Sequence, residues 1–285
     1  MDIKKFGVVG AGMMGSEIAL CGAMYGYDVI MRDISMEFAE KGKANQEKIL
    51  TRDVEKGRKT EEEKQEILSR ITPTDKIEDL AGCDIIIEAM SENYELKSNM
   101  YKQLDAVCKK ETIFATNTSS LSVTKLASSV SEEREKQFIG THFFSPASRM
   151  KMVEIVPGYL TEESTVEAAK EFITSIGKDF IVAKDVCGFV VNRMLNIFFI
   201  EAIRLVEEGV ASPEDIDKAA KLALGHPIGP LELLDYTGLD LNLYIHGVFF
   251  DEYGERFRPR PLLKKMVAAG KYGKKSGEGF FKYDK

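Results

Sequence analysis

Two residues with acid–base chemistry, His142 and Glu154, lie twelve positions apart in neighbouring apolar stretches of the chain. His142 directly follows the apolar run at 138–141 (FIGT), and Glu154 lies inside the strand-like sequence KMVEIV. An imidazole titrates near neutral pH and can exchange a proton with a carbinol oxygen, while a buried carboxylate can hold the second ring N–H. The pattern suits a catalytic histidine–glutamate pair, although a core histidine and a surface glutamate would give the same sequence.

Other polar residues near predicted strand ends and helix starts admit two interpretations each. Asn117 and Ser119 follow an apolar strand and precede a helical stretch, so they can cap that helix, face a cleft, or do both. Asn192, early in a predicted helix, can hold a carbonyl oxygen or lie on the helix surface. His226, in GHPIGP, is expected in a turn, and His246, on an apolar helix face, is expected in the core.

A glycine-rich turn near the N-terminus predicts a dinucleotide site. The sequence GAGMMG fits GxGxxG and occupies positions Gly10, Ala11, Gly12, Met13, Met14 and Gly15. It follows an apolar strand and opens a helical run, which is the context in which backbone N–H groups and the helix N-terminus bind a pyrophosphate. The alternative is a structural turn between strand and helix.

Asp33 bears on which dinucleotide binds. It ends the next predicted strand, 18 residues after Gly15. A carboxylate there can accept hydrogen bonds from ribose hydroxyls and repels a 2′-phosphate, so NAD is favoured over NADP. Arg32 beside it could accept a 2′-phosphate, and Asp33 could instead be a helix N-cap.

These residues need a sheet to position them, and the first two thirds of the chain supply one. Apolar runs that predict strands lie at 4–9, 28–31, 84–88, 113–116, 138–141, 151–156 and 179–183. Helical patterns separate most of them, which predicts an α/β fold with a Rossmann-type, doubly wound, mostly parallel sheet. The charged segment 36–70 is expected to form a helical hairpin, and a solvated surface would account for its charges.

After Asp185 the pattern becomes helical, so we place a domain boundary near 184/185 and expect domains at 1–184 and 185–285. Predicted helices of this all-helical second domain lie at 189–208, 213–224, 230–249 and 259–270, with glycine and proline residues between them.

Composition narrows the class of protein. The chain has 285 residues and a net charge of −7, which argues against nucleic acid as the main partner. Its four cysteines form no CxxC pair, so they are interpreted as reduced structural thiols, and no metal site is predicted. No signal peptide or membrane-spanning stretch is recognisable, and a cytoplasmic location is expected.

Nine motifs in order resemble those of the 3-hydroxyacyl-CoA dehydrogenase family, most closely the short bacterial 3-hydroxybutyryl-CoA dehydrogenases. They are VVGAGMMGSEIA, VIMRDIS, DIIIEAMSEN, NTSSLSVTKLA, HFFSPASRMKMVEIV, GFVVNRML, ASPEDIDKA, GHPIGPLELLDYTGLD and GKKSGEGFFKY. The resemblance covers essentially the whole chain. It implies an NAD-dependent enzyme that interconverts acetoacetyl-CoA and 3-hydroxybutyryl-CoA, with the helical domain forming a homodimer or higher homo-oligomer.

The resemblance also implies roles for individual residues. His142 would be the catalytic acid–base and Glu154 its partner, with Ser119 and Asn192 near the substrate oxygen. Residues on the cofactor side would be Glu92, Lys97, Asn117, Ser119 and Lys275. Arg52 and Lys56, in the charged hairpin, would contact the phosphates or adenine of CoA.

The chain departs from the family pattern at three places. Ser145 replaces an asparagine of the usual HFFNP, so its assigned contact to the cofactor would be weakened or rerouted. Cys187 replaces a proline before GFVVNR, and AMS at 89–91 replaces two apolar residues before Glu92. The competing functions are a CoA-independent 3-hydroxy-acid or sugar-acid dehydrogenase on the same fold and a non-catalytic NAD-binding sensor.

Overall fold

The computed structural model describes residues 3–284, which divide into two compact units. The first unit ends at Phe189 and the second begins at Val190, five residues beyond the predicted boundary at 184/185. The first unit contains one eight-stranded sheet. Its strands are Lys5–Val9 (β1), Asp28–Arg32 (β2), Ile71–Thr74 (β3), Ile85–Glu88 (β4), Ile113–Thr116 (β5), Phe138–Phe143 (β6), Met152–Pro157 (β7) and Asp179–Val182 (β8).

The strand order is β3-β2-β1-β4-β5-β6-β7-β8. All neighbouring pairs are parallel except β6 and β7, which are antiparallel. The order reverses beside β1, the arrangement of a doubly wound sheet with a ligand crevice outside the carboxyl ends of its strands. The predicted α/β fold with a mostly parallel sheet is therefore confirmed.

Helices surround this sheet. They are Met13–Met24 (α1), Met36–Glu55 (α2), Glu61–Ser69 (α3), Tyr94–Val107 (α4), Val123–Ala127 (α5), Glu132–Glu135 (α6) and Glu163–Ser175 (α7). Helices α2 and α3 occupy the charged segment that was expected to form a hairpin. Ser35 caps α2 by accepting a hydrogen bond from the Phe38 N–H, and Thr60 with Glu63 forms a capping box on α3.

The sheet separates two layers of apolar core. Along β4, Ile85 and Ile87 belong to one cluster of buried side chains, and Ile86 belongs to the other. β5 repeats the alternation, with Ile113 in the first cluster and Phe114 in the second. Because side chains alternate across a strand, these continuous apolar runs bury both faces of the sheet, as the sequence predicted.

β3 and one helix break were not predicted from the sequence. β3 has the sequence ITPT, and its proline and short length gave no strand signal. The predicted helix at 230–249 is wrong because the backbone of Gly238 has φ +100° and divides it into two helices. A right-handed helix ends at a glycine in this conformation, because a positive φ lies outside the helical region.

The second unit is helical and has its own core. Its helices are Val191–Glu207 (α8), Pro213–Ala223 (α9), Pro230–Thr237 (α10), Leu239–Tyr253 (α11) and Pro261–Ala268 (α12). Buried residues such as Phe199, Ile203, Leu231, Leu234 and Leu263 pack together within it. Across residues 3–284, no helix combines the length and the apolar character needed to span a membrane.

Candidate active site

The antiparallel pairing of β6 and β7 places His142 directly opposite Glu154. The imidazole Nδ1 lies 2.7 Å from the Glu154 carboxylate oxygen Oε2. The Glu154 side chain is fully buried, and that of His142 is 7% exposed. With Nδ1 donating to the carboxylate, the ring orientation is fixed and Nε2 is left for proton exchange.

Two aromatic rings surround the imidazole. The ring of Phe144 packs edge-on at 4.6 Å and that of Phe189 at 5.6 Å from the ring of His142, measured between centroids. Asn117, which follows β5, accepts a hydrogen bond from the Phe143 N–H at 2.8 Å. This bond joins the end of β5 to the end of β6, beside His142. His142 and Asn117 therefore lie at the same carboxyl edge of the sheet.

Glu92 organises the turn that carries Ser119. One carboxylate oxygen accepts hydrogen bonds from the Thr118 hydroxyl, from the Ser119 N–H at 2.9 Å and from the Ser120 N–H at 2.9 Å. Burial would raise the pKa of Glu92, but the Lys97 charge and these hydrogen bonds outweigh it and hold the pKa below its ordinary value. Glu92 is therefore held as a carboxylate at neutral pH.

Lys97 lies behind Glu92. Its ammonium is 2.6 Å from a carboxylate oxygen of Glu88 and 3.3 Å from Glu92, and its side chain is 1% exposed. Ser122, and neither Asn117 nor Ser119, caps the helix that follows the turn. In residues 3–284 the structure shows a hydrogen bond from the Ser119 N–H but none from its hydroxyl, which can therefore serve a ligand.

The glycine turn has the geometry of a phosphate-binding turn. A Cβ on Gly15 would lie 1.7 Å from the Gly10 carbonyl oxygen, so only glycine allows α1 to pack this closely on β1. A Cβ on Gly12 would meet no protein atom within 4 Å, and α1 begins one residue later at Met13. The open backbone at Gly12, in front of a helix N-terminus, fits a dinucleotide pyrophosphate.

Asp33 adjoins this turn. One carboxylate oxygen accepts a hydrogen bond from the Ala11 N–H and the other from the Ile34 N–H, each at 2.6 Å. Ser35 is the N-cap of α2, so the alternative that Asp33 caps this helix is wrong. A cavity of about 350 Å³ borders Asp33 and Arg32, and a second of about 380 Å³ borders Asp33 and Gly12.

The loop between β6 and β7 contains Ser145, which is exposed. Glu17 anchors this loop by accepting hydrogen bonds from the Ser148 N–H and hydroxyl, each at 2.9 Å. Arg149 forms an ion pair with Asp53 of α2. Burial would raise the pKa of Asp53, but Arg149 and Arg58 hold it below the ordinary value.

The remaining predicted site residues lie at the C-terminal end of α2 and in the second unit. Arg52 is in the last turn of α2 and Lys56 follows at its C-cap, and both are exposed. In the second unit, Asn192 is in the first turn of α8 and half-buried, and the Lys275 ammonium lies 2.6 Å from Asp240.

The predicted core position of His246 is confirmed. His246 is fully buried, His226 is exposed, and none of the four cysteines is in a disulfide. The contacts of Glu88, Glu17 and Asp53 were not predicted from the sequence. The available signal was Glu88 itself, a carboxylate that ends an otherwise apolar, doubly buried strand.

Family models match both parts of the chain. The description "3-hydroxyacyl-CoA dehydrogenase, NAD binding domain" belongs to a family model that matches residues 5–186, and the corresponding C-terminal domain model matches residues 188–283. The chain is 45% identical to a probable 3-hydroxybutyryl-CoA dehydrogenase of Deinococcus radiodurans, over 98% of this chain and 100% of that one.

Two further relatives show the same likeness. The 3-hydroxybutyryl-CoA dehydrogenase of Bradyrhizobium diazoefficiens is 44% identical over 99% of this chain and 96% of its own. The crystal structure of (S)-3-hydroxybutyryl-CoA dehydrogenase from Ralstonia eutropha matches with a TM-score of 0.95 and 43% identity, covering all of both chains.

Proposed function

Because the chain belongs to the 3-hydroxyacyl-CoA dehydrogenase family of oxidoreductases, we propose that it interconverts acetoacetyl-CoA and (S)-3-hydroxybutyryl-CoA with NAD as its cofactor. The observation that carries the proposal is the buried contact between His142 and Glu154 at the carboxyl edge of the sheet. The four-carbon acyl group is supported by the relatives, several of which are named 3-hydroxybutyryl-CoA dehydrogenase.

The residues present fit a dinucleotide. The Gly12 backbone and the N-terminus of α1 would hold the pyrophosphate, and Asp33 would accept hydrogen bonds from the ribose hydroxyls. A 2′-phosphate would meet the Asp33 carboxylate, which supports NAD over NADP. Asn117, Glu92 and Ser145 would border the cofactor farther along the same edge. When bound, the dinucleotide supplies or accepts the hydride.

The protein's own part in the reaction is proton transfer. In the reducing direction, His142 gives its Nε2 proton to the oxygen that becomes the hydroxyl, while Glu154 accepts from Nδ1 and stabilises the charged ring. The Ser119 hydroxyl donates a hydrogen bond to the same oxygen as charge builds on it. A similar role for Asn192 and a cofactor contact for Lys275 remain predictions from the family resemblance.

CoA is proposed to contact the exposed end of α2. Arg52 is in the last turn of α2 and Lys56 is its C-cap, so both cations lie at the C-terminal end of this helix. Two exposed cations at one helix end can bind the phosphates of CoA.

We also expect a homodimer or higher homo-oligomer through the helical unit, and a cytoplasmic location. The support for the oligomer is apolar surface, since Leu222, Tyr236 and Tyr244 are each at least 67% exposed in the single chain.

The test is a panel of substrates, with turnover measured as the loss of NADH or NADPH absorbance. The purified protein is assayed with acetoacetyl-CoA, with a longer 3-ketoacyl-CoA and with free acetoacetate, each with NADH and with NADPH. Fastest turnover of acetoacetyl-CoA with NADH is expected. Reduction of free acetoacetate at a comparable kcat/KM would favour a CoA-independent dehydrogenase, and no turnover of any substrate would contradict the proposal.

A further inference from the structure

Glu88 is a buried carboxylate that the proposed mechanism does not use. It ends β4, and its side chain has no exposed surface. One oxygen accepts hydrogen bonds from the Lys97 ammonium and from the Met90 N–H, each at 2.6 Å, and the other accepts from the Thr116 hydroxyl at 2.8 Å. A group without exposed surface cannot touch a ligand itself, so any effect on the reaction must pass through its neighbours.

One route from Glu88 runs through Lys97 to Glu92. Lys97 contacts both carboxylates and is itself almost fully buried. The Glu92 oxygen that does not face Lys97 accepts the hydrogen bonds of the turn at 118–120. The order of contacts is therefore Glu88, Lys97, Glu92 and then the turn that carries Ser119.

A second route runs along the backbone. Thr116, which donates to Glu88, directly precedes Asn117, and the Asn117 side chain accepts from the Phe143 N–H next to His142. Glu88 therefore fixes the segment 116–120 near its beginning through Thr116 and near its end through Glu92. Apolar residues of similar volume often stabilise a fold as well as a buried ion pair does, so stability alone does not explain this arrangement.

We propose that Glu88 is a positioning residue, which acts through Lys97 and Glu92 to hold Ser119 and Asn117 in place beside His142. In this arrangement Lys97 supports Glu92. The contact of Lys97 with the cofactor stays a prediction from the family resemblance. The inference rests on the proposed function, because the segment 116–120 matters for the reaction only if Ser119 faces the substrate oxygen.

The kinetic test compares two replacements of Glu88. Glu88→Leu removes both anchors, and kcat should fall about 10²-fold, the loss expected for a misplacement of about 1 Å. Glu88→Gln keeps an acceptor for Lys97 and Met90 but removes the charge that pairs with the Lys97 ammonium, so kcat should fall about five- to tenfold. KM for the acyl-CoA should change by less than about twofold in both, because no contact to the substrate is removed.

A double variant tests whether Glu88 acts through Glu92. In protein that already carries Glu92→Gln, adding Glu88→Gln should lower kcat no further than about twofold. Multiplication of the two separate losses would overturn the proposal, and so would unchanged kcat in Glu88→Leu. If Glu88→Leu does not fold, Glu88→Gln and the double variant decide the question.

A measurement without turnover separates this inference from the proposed function. Hydrogen exchange of the Ser119 and Ser120 amides, which donate to Glu92, should be faster in ligand-free Glu88→Leu than in the unmodified protein. The matched control is Asp84→Asn. Asp84 directly precedes β4, at the end opposite to Glu88, and its carboxylate is paired with Lys109. This control should change neither this exchange nor kcat, and equal effects of both substitutions would show a general loss of stability.

Discussion

His246 allows a prediction whose size follows from its burial. The ring lies in α11 with no exposed surface, and neither ring nitrogen has a hydrogen-bond partner among the described residues. Burial lowers the pKa of His246 from 6.5 to about 4. In the unfolded chain the ring gains its proton near its ordinary pKa, so between these two values the unfolded state binds more protons.

The sign follows from this difference. Above about pH 6.5 the ring is neutral in both states, and its contribution to stability is fully present. As the pH falls, the free energy of unfolding decreases until the folded pKa near 4 is reached. Each unit of pKa difference is worth about 1.4 kcal/mol, so the loss is about 2 kcal/mol at pH 5 and about 3 kcal/mol at pH 4.

The assay is denaturant unfolding at pH 7 and at pH 5 of the unmodified protein and of His246→Leu. Leucine is close in volume and leaves no ring nitrogen unpaired, so the variant should lose about 2 kcal/mol less between the two pH values. His226→Leu, which removes an exposed histidine, is the matched control and should behave as the unmodified protein. Equal losses in His246→Leu and the unmodified protein would refute the reasoning.

Three other predictions concern the cofactor, CoA and the thiols. Asp33→Asn keeps an acceptor for the Ala11 N–H but removes the charge, so kcat/KM for NADPH relative to NADH should rise about tenfold; an unchanged ratio would exclude Asp33 from the choice of cofactor. Arg52→Ala with Lys56→Ala should raise KM for acetoacetyl-CoA about tenfold and leave KM for a truncated acetoacetyl thioester unchanged; equal changes would argue against contact with CoA. Burial raises the pKa of Cys21 and Cys108 to about 11 and that of Cys83 to about 12, so at pH 8 these thiols should react with a disulfide reagent only after unfolding; rapid reaction of any of the three in the folded protein would contradict this.

The sequence was sufficient for features that depend on local patterns. Strands buried on both faces appear as continuous apolar runs, and the glycine turn with Asp33 follows from its spacing. The short strand β3 was not predicted because its proline argues against a strand. It forms because it pairs with β2, which the sequence of β3 alone does not show. The break at Gly238 was missed because a single glycine is also tolerated inside helices.

Contacts between distant residues were beyond the reach of these patterns. That His142 meets Glu154 depends on the antiparallel register of β6 and β7, and a shift of one residue would point the two side chains to opposite faces of the sheet. The contact between Lys97 and Glu88 depends on how α4 packs beside β4, and the sequence only showed a glutamate at the end of an apolar strand.

The most direct test of the central claim is kcat for acetoacetyl-CoA reduction in His142→Gln, Glu154→Gln and the double variant, with NADH binding measured in each. If His142 transfers the proton and Glu154 acts through its ring, His142→Gln should lose about 10²–10⁴-fold in kcat with NADH still bound. Adding Glu154→Gln should then cause no further loss. Turnover of His142→Gln at the unmodified rate, or a full additional loss from Glu154→Gln, would contradict the account.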